Sequence, residues 1–229
     1  MLTLAIEAST MQPSLALFRK DARVAEREWE EAGRGGRLLF AELAALTKSA
    51  GIDLGEIDRY VCGRGPGIFS SLRMALTAAQ AAALPGQAEV LAFSSGAALA
   101  WEWLMHRNAE RVAIVGDARR GMCWLGIFEQ GQHGPECVQD WRLAPPSELS
   151  GLAGDGTPLL SPDADRVVAL WQSTQEGDAG SLRFVPAIPR ARYLGEYALR
   201  RLSTGGPPEA LEPLYMHPPV DPPKNVASG

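Results

Sequence analysis

Histidine and cysteine are scarce in this 229-residue chain, at three each, and neither is grouped. His106, His133 and His217 have no ligand spacing and Cys62, Cys123 and Cys137 form no C-x-x-C pair, which argues against a His/Cys metal site. Two of the cysteines lie in apolar runs, so the set reads as buried, reduced thiols. Long apolar runs are missing too. No segment approaches the ~20 apolar residues of a membrane span, and MLTLAIEAST has neither the basic region nor the long apolar core of a secretory signal. The expectation is a cytoplasmic protein that does not associate with membranes. Positive charge is in short supply, with Lys+Arg 22 against Asp+Glu 27 and a net charge of −5. An acidic chain is a poor binder of nucleic acid on its own. The basic pairs Arg119-Arg120 and Arg200-Arg201 read as solvated faces or ion pairs. There is no G-x-S-x-G elbow and no Cys-His constellation for nucleophilic catalysis.

What the chain does have is ordered apolar patterning. Leu2 to Glu7, Ser14 to Phe18 and Val24 to Trp29 read as three strands joined by short polar turns, an antiparallel meander. Leu39, Leu43, Leu46 and Ala50 then fall on one helical face, with Gly51 as the C-cap. Arg59 to Gly63 and Glu89 to Phe93 read as strands. They flank a helix from about Leu72 to Leu84, and a further helix capped by Ser94 or Ser95 runs to about Arg107. The first half is therefore βββαβαβα, in a mixed-sheet α/β fold. After Phe128 the pattern weakens, residues 144 to 165 are loop-like, and Arg190 to Leu202 returns as a helix.

The second half restarts like the first. Adding 110 takes Glu7 to Asp117, Ala8 to Ala118, Leu15 to Leu125, Ala16 to Gly126, Leu17 to Ile127 and Phe18 to Phe128. Such a constant offset points to a duplicated hairpin. Residues 1–108 are expected to form an N-terminal lobe and 109–216 a reduced C-terminal lobe, with helix 190–202 packing back on the first. Residues 217–229, rich in proline, are expected to be a disordered tail. Glu7 and Asp117 either orient Mg²⁺ and water in a cleft between the halves or only cap their turns.

The stretch GRGPGIFSSLR, Gly63 to Arg73, has the glycine content of a phosphate-binding turn. It lacks the Gly-Lys-Ser/Thr of a P-loop and, with Ile68, the spacing G-x-G-x-x-G. Gly65, Pro66 and Gly67 supply a sharp, stiff strand-to-helix turn, and Ser70 or Ser71 suits an N-cap. Such a helix start either holds an anion or simply sets the angle between strand and helix. The helix behind it carries Ala75, Ala78, Ala79, Ala81, Ala82 and Ala83. That composition leaves two smooth faces, one for the sheet and another either for a close helix–helix interface or for burial within the domain.

Taken in order, the strand-acid-Ala-Ser-Thr opening, GRGPGIFSSLR, VAIVGDARRG and the late Pro213-Leu214-Tyr215 resemble the TsaB (YeaZ) family from Leu2 to about Pro219. The resemblance implies an actin/Hsp70/sugar-kinase-like fold of two related lobes. It also implies a non-catalytic subunit in the synthesis of threonylcarbamoyladenosine on tRNA, paired with a catalytic TsaD-like subunit and joined by a TsaE-like ATPase. tRNA is then reached only through the complex. The family's glycoprotease (peptidase M22) label finds no support in these residues. The implied contact surface is Leu39, Leu43, Leu46, Arg73, Ala75, Leu76, Ala79, Ala82 and Ala83, and Glu7, Ser9 and Asp117 would be a vestigial nucleotide site. The chain alone is expected to need no cofactor, with ATP and Mg²⁺ left open at a subunit junction and a homodimer left open in isolation. It departs from the family at Glu7-Ala8, where Asp-Thr/Ser is usual. It departs again at Ile68 and Ser71 within a loop usually GPGSFTGLR, and at Gly35-Gly36, where a His-Ser/Thr pair is common. The alternative is a nucleotide-dependent enzyme of the same fold with Glu7 and Asp117 as its acids, or a homodimeric relative with a separate binding role.

Overall fold

In the computed structural model the first three strands are β1 (Leu2–Glu7), β2 (Ser14–Arg19) and β3 (Ala22–Glu28), a meander in which β1 and β2 are antiparallel neighbours and β3 forms the edge. The structure describes residues 1–31, 38–174 and 182–217. Gly35-Gly36 and the proline-rich tail beyond His217 lie outside these. α1 (Leu39–Ala50) follows, ending at Gly51 in the left-handed region (φ 66°) with its amide on the Lys48 carbonyl. β4 (Arg59–Gly63) and β5 (Glu89–Phe93) add parallel to β1 on its other side, and α2 (Phe69–Ala83) connects them. α3 (Ser95–Trp101) begins with the Ser94 hydroxyl accepting from the Ala97 amide. It passes into a π-helical turn over Glu102–His106, where the sequence suggested one uninterrupted helix.

The second lobe repeats this plan. β6 (Arg111–Arg119), β7 (Met122–Gly131) and β8 (Gly134–Ala144) form the meander, and β9 (Leu159–Ser161) and β10 (Phe184–Pro186) add parallel to β6. The sheet orders are β3-β2-β1-β4-β5 and β8-β7-β6-β9-β10, the same path traced twice. This is a duplicated-lobe α/β architecture, with a mixed sheet and its helices in each lobe. The reduction in the second lobe lies in its elements, not in their number. β9 and β10 have three residues each, and α4 (Leu149–Ala153) and α5 (Ala164–Gln172) are shorter than α1 and α2.

Three apolar layers hold the lobes. Leu4, Ile6, Leu15 and Leu17 bury one face of the first sheet against α1 and α2. Ala113, Val115, Leu125 and Ile127 bury one face of the second against α4 and α5. Between the sheets, α3 and α6 (Ala191–Ser203) are packed by Ala5, Ala16 and Phe18 from one side and Val112, Ile114 and Phe128 from the other. α6 lies against β1, β2 and α3, so the last helix among the described residues completes the inner face of the first sheet. Cys62 and Cys123 are buried as expected, whereas Cys137 is exposed at the surface of β8. Among the described residues no helix is long and apolar enough to cross a membrane.

Candidate functional site

The GRGPG turn is closed by its own neighbours. The Arg64 amide donates to the Phe93 carbonyl at 2.9 Å, the Gly65 amide to Ser95 Oγ at 3.0 Å and the Ile68 amide to the Ser9 carbonyl at 2.8 Å. A Cβ at Gly67 would collide with the Ser9 backbone, so glycine is needed because loop and hairpin turn touch there. α2 starts at Phe69 with Ile68 as its N-cap, and no side chain caps it. Ser70 and Ser71 lie inside the first turn, not at the cap. The helix begins three residues earlier than the sequence suggested because Ile68, anchored on Ser9, already offers its carbonyl to the Leu72 amide.

Glu7 stands at the end of β1 and is buried, 1% exposed. Its Oε1 accepts from the Ser9 amide at 2.8 Å. Oε2 and the Ser9 hydroxyl have no hydrogen-bond partner among the described residues. A Cβ at Gly63 would overlap that carboxyl and crowd Ser95 Oγ. Burial without a counter-charge raises the Glu7 pKa above its ordinary value, against the lowering effect of the Ser9 and Ala8 amides and nearby hydroxyls. These residues do not fit a nucleotide phosphate at this turn. Three of the loop amides are committed to protein acceptors, and a carboxyl fills the space behind them.

Asp117 does not join Glu7. Ile6 lies opposite Leu15 in the first hairpin and Val115 opposite Leu125 in the second. The second strands therefore keep the offset of 110, but the first strands are offset by 109, the step from Ile6 to Val115. Gly116 stands where Glu7 stands, and Asp117 matches Ala8. A slip of one residue turns a side chain to the other face of the sheet. Glu7 shares the alternation of Ala5, facing the central layer. Asp117 shares that of Ala113 and Val115, facing the outer layer of the second lobe. Its partners are Arg119 at 3.0 Å and Arg166 at 3.8 Å, and its amide meets Asp163 Oδ2 at 3.3 Å. Burial raises the Asp163 pKa, with Arg166 acting against it. Among the described residues no group of three or more His, Cys, Asp or Glu side chains is placed to hold a metal ion.

The helical surface needs the largest correction. Leu39, Leu43, Leu46, Ala75, Leu76, Ala79 and Ala83 are all buried in the chain's own outer layer, and Ala82 is half-buried against it. Only Arg73 of the expected contact residues is exposed. α1 and α2 spend their apolar stripes on the sheet beneath them. Their free sides meet in a shallow groove of about 340 Å³ lined by Phe40, Arg73, Met74, Thr77, Ala78 and Ala81. Phe40 is 58% exposed at its rim. A sequence signal for this side exists: Arg73, Thr77 and Gln80 recur at helical spacing on α2 and mark the stripe that faces away from the core.

The segment after α6 returns to the same lobe. Glu209 receives the Ser94 amide on Oε1 at 2.8 Å and pairs with Arg64 at 3.3 Å, while its own amide meets the Ala92 carbonyl. Arg64 Nε donates to the Glu212 carbonyl at 2.9 Å, and the Leu214 amide donates to the Arg64 carbonyl at 2.8 Å. Arg64 and Pro213-Leu214-Tyr215, two of the sequence features singled out above, are thus held together.

Comparison with known proteins places these features in a family context. A family model described as TsaD, tRNA N6-adenosine threonylcarbamoyltransferase, matches residues 37–162, more than half of the chain. The tRNA threonylcarbamoyladenosine biosynthesis protein TsaB of Haemophilus influenzae is 28% identical over 231 residues, spanning 93% of this chain and 92% of that protein. The protein of the same name from Escherichia coli is 29% identical over 57% of this chain and 56% of that one. The solved structure of YeaZ from Pseudomonas aeruginosa superposes with a TM-score of 0.76 at 24% identity, covering 94% of this chain and 99% of that one.

Proposed function

Because the chain belongs to the family described by the TsaD model, and carries the sequence and fold of its TsaB (YeaZ) members, we propose that it acts in the biosynthesis of threonylcarbamoyladenosine on tRNA as a non-catalytic subunit. In this reading it docks a TsaD-like catalytic subunit through the outer faces of α1 and α2, with a TsaE-like ATPase joining the assembly. The observation that carries it is the groove between those helices. Phe40 and Met74 offer apolar surface, Thr77, Ala78 and Ala81 let a second backbone come close, and Arg73 adds a charge at one end. Support for a non-catalytic role comes from Glu7 and Asp117, which face different layers and do not share a cleft. The net charge of −5 favours contact with tRNA through the complex, in the cytoplasm where the assembly works. No cofactor belongs to the chain alone in this reading, and any ATP and Mg²⁺ would sit at the subunit junction.

The test is size-exclusion chromatography of the chain co-expressed with the TsaD-like subunit of the same organism. Wild type is expected to co-elute with it. Thr77→Arg, at an exposed position of α2, is expected to separate the two while leaving the melting temperature unchanged. Failure of the wild type to co-elute, or its recovery only as a self-dimer, overturns the reading. Glu7→Gln is expected to leave tRNA modification by the complex intact; its loss with the complex still assembled would instead support the nucleotide-dependent enzyme.

A further inference from the structure

Beside the groove lies a second exposed feature, the Phe69 and Tyr215 rings, with centroids 5.1 Å apart. Phe69, the first residue of α2, is 44% exposed, and Tyr215 is 57% exposed. The Arg73 guanidinium lies 5.3 Å from the Phe69 ring centroid. The two half-exposed rings in contact form a contiguous aromatic patch, the kind of surface that marks an interaction site. The position of Tyr215 is built: Leu214, its neighbour, is tied to Arg64, and Arg64 is tied in turn to Glu209 and Glu212. Arg73 also lines the α1–α2 groove, so ring pair and groove form one continuous surface. Among the described residues Arg73 enters no ion pair.

We infer that the returning C-terminal segment supplies one wall of the docking surface, with Phe69 and Tyr215 as an aromatic anchor beside the groove. The occupant is the partner subunit proposed above, presenting an apolar side chain to the rings and a carboxylate to Arg73. The inference rests on that reading and extends it. Charge complementarity argues for a carboxylate, because Arg73 sits between two apolar surfaces with its guanidinium free to make a bidentate pair. The continuity of the rings with apolar Met74 and Phe40 favours a protein surface over a nucleobase stacked on the rings.

The experiment is isothermal titration of the full chain with the purified TsaD-like subunit, for wild type, Tyr215→Ala, Phe69→Ala, their double variant, Arg73→Glu and Thr77→Arg. Tyr215→Ala is expected to weaken binding about tenfold or more with an unchanged melting temperature. The double variant is expected to lose less than the product of the two single losses, because the rings act as one unit. Arg73→Glu is expected to weaken binding at least as much. If Thr77→Arg abolishes binding while Tyr215→Ala and Phe69→Ala bind as wild type, the anchor is wrong and the groove stands. If wild type does not bind, both fall. If Tyr215→Ala binds the subunit normally but lowers the affinity of the assembled complex for tRNA, the rings serve RNA and the inference is overturned.

Discussion

Glu7 is a carboxyl in a place that suits a neutral group. Its burial raises the folded-state pKa, while the unfolded chain titrates near the ordinary 4.5. Below that value both states are protonated and the group is neutral in stability. As pH rises above it, the unfolded chain releases its proton while the folded chain must keep it or bury a charge, so stability falls until pH passes the folded pKa. Glu7→Gln keeps the shape and the acceptor for the Ser9 amide but removes the titration. Urea unfolding from pH 4 to 8 is expected to show the variant as the more stable at neutral pH, with the difference vanishing towards acid. A variant less stable than wild type at pH 7 would mean that an ionised Glu7 is stabilising where it sits. Cys62 belongs to the same environment: burial, with Glu7 adding to it, pushes its thiol up to about 12, so it is expected to resist alkylation in the native state, while exposed Cys137 reacts first.

At the scale of the element, α2 divides its residues between core and exposed surface more finely than its composition tells. Ala79 is fully buried on the sheet, so Ala79→Arg is expected to cost about 3–5 kcal/mol by forcing an unpaired charge inside, read as a large fall in melting temperature. A folded Ala79→Arg protein would refute that placement. The contrast with Thr77→Arg separates folding from docking on one helix. Alanine is why the sequence blurred this distinction, since it fits a buried and an exposed face equally well; the polar positions 73, 77 and 80 hold the information. β1, β2, β4, β5 and α1 were legible because each has a single apolar period and a clear stop, such as Gly51. β8 was missed because its pairing with β7 shifts register twice. β9 was missed because three residues carry no period at all. The offset of 110 was legible in β2 and β7 and misleading in β1 and β6. A hairpin longer by one residue, with nine between Val115 and Leu125 against eight between Ile6 and Leu15, changes no composition, yet it moves an acid to the opposite face.

Across the whole molecule the two sheets meet through α3 and α6, and one ring bridges them. Trp141 of β8 packs against Gly96 of α3 and Gly126 of β7, and lies 5.7 Å from Trp124 between ring centroids. Trp141→Ala is expected to destabilise the protein by about 2–3 kcal/mol and to broaden its unfolding, because it loosens the seam between lobes and spares the outer layers. Calorimetry that shows a single sharp transition at the wild-type temperature would argue against such a seam. The symmetry of strand order does not extend to how the lobes are finished: the second lobe lends α6 and the segment after it to the first.

That loan sets the order of events at the ribosome. Ala5, Ala16 and Phe18 leave the exit tunnel early, but the helix that covers them starts at Ala191. For most of synthesis the inner apolar face of the first sheet therefore lacks the helix that covers it. A nascent chain stalled before residue 190 should stay protease-sensitive throughout its first hundred residues, and become resistant in a single step once α6 has emerged.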